Sequence, residues 1–485
     1  MSQTKSLNPL ALATNPIYCV SVYFAFLLLN QVQLLNRYLG GIQVGLVAWA
    51  AIVVLTQIFT DRQWLRTKAL WVFALLLPVA AVTLAINSEL SPFTQLKSAV
   101  LLGISIFLAY PLGARIARSP NHYRDLAVVL LPAIVITFLQ ALVSLITVAI
   151  RFSYLGPING ELAVLGVQFF KYNSGAQALI VFGFNADSNH AALFSLISIV
   201  LSVWFLIYRN QFALSRRGLA TAVTFAWFNL FILIPAFVLH NSRGSRWTLY
   251  LVIVLFIPLA VHLLSRTKRR RVLRTIVALV AAFVVVSGIN VVIEESTAAY
   301  VTAADRYLPP VSEPQTDEQE VPEEIHFAKG EAAQSARPII WKETFEVWQT
   351  SPVFGVGPYN APAIAKQHHI GDPETGYLIR GTAVHNSYLD VLVAYGLAGI
   401  AVYALFFLWA FVVFLKRLKT APFDTEDLLF LVIIVGILGG TFFLTSIFLG
   451  FEYLFGVLLI LMGYVVSKLE SAPVWQPELV WHEVK

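Results

Sequence analysis

The chain has 485 residues, 58% of them hydrophobic and only 12% charged, with a mean hydropathy of +0.74. That balance excludes an ordinary soluble domain, and in such a chain the formal net charge of +6 speaks of topology rather than of nucleic-acid binding. Apolar runs of 18 or more residues recur, each long enough to cross a bilayer as a helix, without the alternation that a membrane-spanning strand requires.

In chain order the predicted spans are 17–35, 41–60, 69–86, 96–114, 126–150, 188–208, 219–239, 247–264, 275–293, 386–415, 428–447 and 451–467. The first has only Lys5 ahead of it and no small-residue cleavage site, so it reads as a retained span. Cys19, the single cysteine, lies inside it, so no internal disulfide can form. The expected fold class is an all-α polytopic membrane protein of about twelve transmembrane helices, with a large periplasmic loop between the ninth and tenth. Three parts follow: an N-terminal bundle over 1–293, the loop over 294–385, and the last three helices with a cytoplasmic tail over 386–485.

Basic residues collect after every second span. They are Arg62, Arg66 and Lys68; Arg115, Arg118 and Arg124; Arg209, Arg216 and Arg217; the run Arg266–Arg274; and Lys416, Arg417 and Lys419. Together they make eighteen of the 33 basic residues, all on one side. The positive-inside rule makes that side cytoplasmic, with both termini there, in a multi-pass protein of the inner-membrane type. The run Arg266–Arg274 reads as a topology determinant touching anionic lipid.

On the opposite side two segments are too long to be turns. Arg151–Asp187 contains Gly156-Pro157 and an apolar stretch, Ala176–Phe184, too short to cross the bilayer. Glu294–His385 begins as an acidic, proline-rich linker reaching about Gly330. It then carries Trp341, Phe345 and Trp348 at helical spacing, followed by Pro352, Gly355 and Gly357, which predicts a folded part.

Three places could carry chemistry. Arg243 and Arg246 lie in an outward hairpin, His240-Asn241-Ser242-Arg243-Gly244-Ser245-Arg246-Trp247. Two guanidiniums there suit a phosphate or pyrophosphate bound in bidentate fashion, or else serve as snorkelling anchors beside an interfacial tryptophan. His385 stands where the loop meets the tenth span. The positive end of the helix dipole there disfavours imidazolium, and a neutral ring is a competent general base; the alternative is a helix-start histidine satisfied by water. Arg337 opens the folded part of the loop and is either a ligand for an anion or simply solvated. Lys171, Arg151 and Glu452 are weaker outward-facing candidates. His368-His369 does not make a metal site, because adjacent histidines point apart and no carboxylate or cysteine cluster joins them. The sequence has no Walker loop, no dinucleotide glycine fingerprint and no Asp-rich metal signature, so no cofactor is expected. Outer-face chemistry without a nucleotide site needs a substrate that arrives activated, and a glycan on a lipid pyrophosphate meets that need.

These residues resemble the O-antigen ligase and polymerase family. Val384-His385-Asn386-Ser387-Tyr388-Leu389-Asp390, followed by Gly396-Leu397-Ala398-Gly399, is similar to the family's His-Asn pair, leucine-bearing helix and Gly-x-x-Gly. Arg337…Trp341…Pro352-Val353-Phe354-Gly355-Val356-Gly357 resembles its Arg…Trp…Pro-x-x-Gly-x-Gly stretch, and Ser242-Arg243-Gly244 its Ser-Arg-Gly. The three matches cover roughly residues 240–415. The resemblance implies a fold of the membrane glycosyltransferase C type. It also implies metal-free, inverting transfer of a glycan from undecaprenyl pyrophosphate to an acceptor hydroxyl, such as a glycan or lipid-A-core-like acceptor, at the periplasmic membrane face. By position His385 would be the base, while Arg243 and Arg337 would hold the pyrophosphate. Trp247 stands where the family often has Leu, and Arg246 is additional, so either of the two hairpin arginines could contact phosphate. A polysaccharide polymerase and a protein O-oligosaccharyltransferase share the donor and stay open. A transporter fits the span number, but it should place charges or Gly/Pro breaks deep inside the spans, and here the unusual polar residues sit at the outer boundary.

Overall fold

The computed structural model describes residues 12–471 except 151, 159–160, 172–176, 186, 213, 241, 265–270, 308–330, 372–375, 380, 382, 421–423, 446 and 451. Most of the acidic, proline-rich stretch and most of the Arg266–Arg274 run therefore lie outside the described residues.

The architecture is helical and built for a bilayer, because a lipid-embedded backbone must pair its own polar groups. In chain order the first helices are α1 (Pro16–Asn30), α2 (Gln33–Thr60), α3 (Lys68–Ile86), α4 (Pro92–Arg118, with a π-helical stretch at Ser105–Ala109) and α5 (His122–Ala149). A three-stranded antiparallel sheet follows, then α6 (Ser188–Tyr208), α7 (Arg216–Leu239), α8 (Arg243–Leu264) and α9 (Arg271–Tyr307). The loop contributes α10 (Glu331–Thr350) and α11 (Ala361–Gln367), and the chain closes with α12 (Ser387–Thr420), α13 (Thr425–Gly440) and α14 (Tyr453–Ser471).

Among the described residues, 11 helices are long and apolar enough to span a membrane. The expected first span is the exception: α1 has 15 residues and stops at Asn30 rather than 35. The chain breaks there because Val32 bridges Asn185 and the Gln33 amide donates to Phe184 O at 2.9 Å. Even so, α1 packs against α2, a longer helix of 28 residues. Its start lies beside the end of α2, where Gln57 Nε2 donates to Thr14 O at 3.1 Å. The last helix, α14, is the centre of the bundle, with 89% of its apolar window buried.

Three differences from the sequence reading have local causes. The segment Arg151–Asp187 holds strands β1 (Ser153–Ile158), β2 (Glu161–Lys171) and β3 (Gln177–Gly183), paired as successive hairpins. The apolar stretch Ala176–Phe184 is thus mostly β3, whose Val181 packs with Val148 and Val167. Next, α9 continues to Tyr307, so Glu294–Tyr307, assigned to the linker, are helical. Last, the eleventh span ends as a helix at Gly440 instead of running to 447. The chain then makes a 3₁₀ turn over Thr441–Phe443, and the described residues between it and Tyr453 are irregular.

The bundle has two ends. One holds the sheet, α10, α11 and the start of α12. The far end gathers both extremities of the described chain, since Arg118 Nε donates to Ser467 Oγ at 3.2 Å and Arg115 Nη1 donates to Gln57 Oε1 at 2.7 Å.

Candidate active site

A break in α12 seats the folded part of the loop. Gly396 lies at φ 62°, ψ −161°, a conformation open to glycine, and it interrupts the helix within the apolar span. Backbone groups freed inside lipid are costly unless paired. Here the 352–357 segment pairs them. Val356 and Gly357 amides donate to Val393 O and Ala394 O at 2.8 and 3.0 Å, while Leu397 and Ala398 amides donate to Pro352 O and Val353 O, both at 2.9 Å. Gly355 is equally constrained: at φ +71° a Cβ would stand 2.5 Å from Ala394 O. The two glycine motifs, some forty residues apart in sequence, are the halves of one joint.

The N-terminal bundle grips the same joint. Thr83 Oγ1 donates to Phe354 O at 2.6 Å and Asn87 Nδ2 to Gly355 O at 3.1 Å. Buried Gln95 in turn donates to Asn87 O at 2.9 Å and to Leu90 O. Above the joint the loop has a small core of its own, with Ile340, Val347, Val356, Ile364, Leu378 and Val384.

His385 is held at the start of α12 in a left-handed conformation, φ +53°. Histidine visits that region more readily than bulky residues, but the conformation still costs on the order of 1 kcal/mol and needs support from both sides. On one side Trp341 Nε1 donates to the carbonyl of Val384 at 3.1 Å. On the other, Asn386 caps the helix, its Oδ1 accepting the amides of Tyr388 and Leu389 at 3.0 and 3.2 Å. The imidazole is half-buried just ahead of the helix N-terminus.

The turn after α13 packs directly against this region. Ser387 Oγ donates to Leu444 O at 2.8 Å, Thr445 Oγ1 donates to Asp390 Oδ2 at 2.8 Å, and Tyr388 Oη donates to Leu438 O at 2.6 Å. The turn's two aromatic rings face the loop helix α10. Trp341 meets Phe442 edge-on at 5.6 Å, and the guanidinium of Arg337 lies 5.7 Å from the centroid of Phe443. Arg337 and Trp341 are one helical turn apart, so one face of α10 presents both.

The hairpin arginines come to the same ring from another helix. Arg243 begins α8, and Ser242 caps it, its Oγ accepting the Ser245 amide at 3.2 Å and donating to Asn189 Oδ1 at 2.9 Å. Gly244 packs on Phe443, where a Cβ would lie 2.6 Å from the phenylalanine Cβ. The Arg243 side chain lies outside the described residues, whereas Arg246 is half-buried and close enough to Tyr250 to act on it electrostatically. His240, in the same hairpin, is buried and donates from Nδ1 to Val181 O on β3 at 2.7 Å, and burial pushes its imidazole down to about 4.

Of the sequence candidates, the fold thus gathers His385, Arg337 and the backbone of Arg243 around the Thr441–Phe443 turn. Among the weaker ones, Arg151 lies outside the described residues and Lys171 ends β2. Burial raises the carboxyl of Glu452, with His190 and Lys97 opposing. Sequence reasoning missed Asn189, Thr83, Asn87 and the Phe442–Phe443 pair. The signal for the last was the run Gly439-Gly440-Thr441, which interrupts an otherwise apolar span.

The bundle, with 11 helices among the described residues long and apolar enough to cross a bilayer, defines a polytopic membrane protein. Residues 228–404 match the family model described as O-antigen ligase. The match contains Arg243, Arg246, Arg337, His385 and both halves of the glycine joint, and it supports a membrane glycan-transfer function. No curated protein matches the chain.

Proposed function

We propose that the protein transfers a glycan from an undecaprenyl-pyrophosphate carrier to an acceptor hydroxyl at the periplasmic face of the inner membrane. His385 removes the acceptor's proton as its oxygen attacks the anomeric carbon. The bond from that carbon to the pyrophosphate oxygen breaks, and its electron pair leaves with the diphosphate. Attack from the face opposite the leaving group inverts the anomeric centre, and no metal takes part. Arg337, Arg243 and Arg246 neutralise the diphosphate, whose charge exceeds what one guanidinium offsets at a low-dielectric rim.

The observation that carries this reading is the convergence on Phe443: the Arg337 guanidinium lies over its ring, and Gly244, beside Arg243, packs against it. Trp341, on the same face as Arg337, is bonded to the residue before His385. A base and the anion-binding groups are then supplied by three different elements around one turn. The basic residues on the far end, with both described extremities, support a cytoplasmic assignment for that end.

The test is reconstitution of the purified chain with a glycan on undecaprenyl pyrophosphate, with and without a lipid-A-core-like acceptor. A product joined to the acceptor is the expected result. Chain extension from donor alone would make the protein a polymerase, and glycan movement across the bilayer without a covalent product would make it a transporter.

A further inference from the structure

The far end of the bundle holds a cavity of about 290 Å³ that the proposed reaction does not use. It lies where α2 and α4 finish, opposite the ends of those helices that contact the sheet and the loop joint. Its lining includes Asp61, Trp64, Thr67, Arg115, Arg118 and Ser119.

Both guanidiniums are tethered by neutral partners, Arg115 through Gln57 and Arg118 through Ser467. Among the described residues, neither has a carboxylate oxygen within 4.0 Å. Asp61 is the one carboxylate in the lining, and its Oδ1 accepts the Gln63 amide at 2.9 Å. Glu470 and Lys68 lie within electrostatic reach of each other, and Glu470 within that of Arg118. Asp125 Oδ2 accepts from the lining Ser119 Oγ at 2.7 Å, so the lining itself carries two guanidiniums and one carboxylate, with Asp125 and Glu470 outside it.

An independent observation points to a ligand. Thr67 is 6% exposed and lines the cavity, and its Oγ1 has no hydrogen-bond partner. Buried hydroxyls are nearly always bonded, so this one is a donor awaiting an acceptor. Trp64, 2% exposed, has spent its Nε1–H on Phe107 O at 2.9 Å and offers the cavity an apolar wall. Beside the cavity two large aromatics are exposed among basic residues: Phe59, two residues before Asp61, and Trp71, four after Thr67.

We propose that this cavity is a phosphate-binding site at the membrane surface, filled by the phosphate of an acidic lipid headgroup or by free phosphate. A phosphate offers several acceptor oxygens, which match two guanidinium forks and one hydroxyl. The two exposed aromatics favour the lipid, whose acyl chains would lie along α2 and α3.

The test uses the full chain in detergent, with phosphatidylglycerol, phosphatidylcholine or inorganic phosphate added and binding read by native mass spectrometry and isothermal titration. The intact chain should retain phosphatidylglycerol over phosphatidylcholine. Loss of charge-assisted bonds in Arg115→Gln/Arg118→Gln should weaken that binding by about tenfold or more. Thr67→Val keeps the volume and removes only the hydroxyl, so it should weaken binding by a few-fold with an unchanged melting temperature. Inorganic phosphate bound with the same dependence on these residues would keep the site and assign it to the free anion. Equal retention of the two lipids with no phosphate binding overturns the proposal. So does a loss in Arg62→Gln/Arg66→Gln, outside the lining, that equals the loss in Arg115→Gln/Arg118→Gln.

Discussion

The guanidinium of Arg337 lies 5.7 Å from the centroid of the Phe443 ring. Gly244, the neighbour of Arg243, packs on the same ring from another helix. The ring therefore sets the spacing between two arginine-bearing segments that are 93 residues apart (337 − 244) in sequence. A cation over an aromatic face gains about 0.5–2 kcal/mol. Phe443→Leu should accordingly weaken binding of undecaprenyl pyrophosphate by about 2–30-fold. Arg337→Lys should weaken it further, because a point charge cannot replace a bidentate fork. Titration of the lipid diphosphate into each variant decides it, and unchanged affinity in both would remove Arg337 from the binding site.

Gly396→Ala tests the joint. The new Cβ would collide with Val353 O in a left-handed conformation that already costs an L residue about 1–2 kcal/mol. The expected outcome is release of the 352–357 segment, read as a lower melting temperature and new proteolytic cutting within the folded loop. A variant as stable and as protease-resistant as the parent would show that the four backbone hydrogen bonds are dispensable.

His240 predicts an acid limit to stability. Its folded value of about 4 lies below the ordinary 6.5, so protonation favours the unfolded chain. Stability from this group is complete above about pH 6.5 and is lost as pH falls toward 4, amounting to about 3 kcal/mol across that window. His240→Gln should flatten the melting-temperature profile between those limits. A variant that keeps the parent's slope would assign acid lability to other groups.

Topology can be read with a single thiol. In a Cys19→Ser background, Gly330→Cys should react with an impermeant maleimide added from the periplasmic side. Labelling only from the cytoplasm would invert the assignment.

Much of this arrangement was legible in the sequence, because helix-forming runs and their flanking charges are local signals. The spans 188–208 and 386–415 fall within a few residues of α6 and the membrane-crossing part of α12. The spacing of Trp341, Phe345 and Trp348 likewise announced α10. What stayed hidden depends on distant partners. The strands β1–β3 form by pairing with one another, and α1 stops early because Val32 bridges Asn185. Phe442 and Phe443 fall inside the predicted span 428–447, with nothing local to set them apart. Only Ser387 and Asp390, which bond Leu444 and Thr445 from another helix, turn that stretch into a site wall.

The proposed reaction stands or falls on His385 as its base. Transfer by purified His385→Ala protein, measured beside donor binding, tests it most directly. General-base catalysis contributes about 10²–10⁴-fold, so transfer should fall by that factor while undecaprenyl pyrophosphate still binds and the melting temperature holds. Near-normal transfer by His385→Ala would contradict the account.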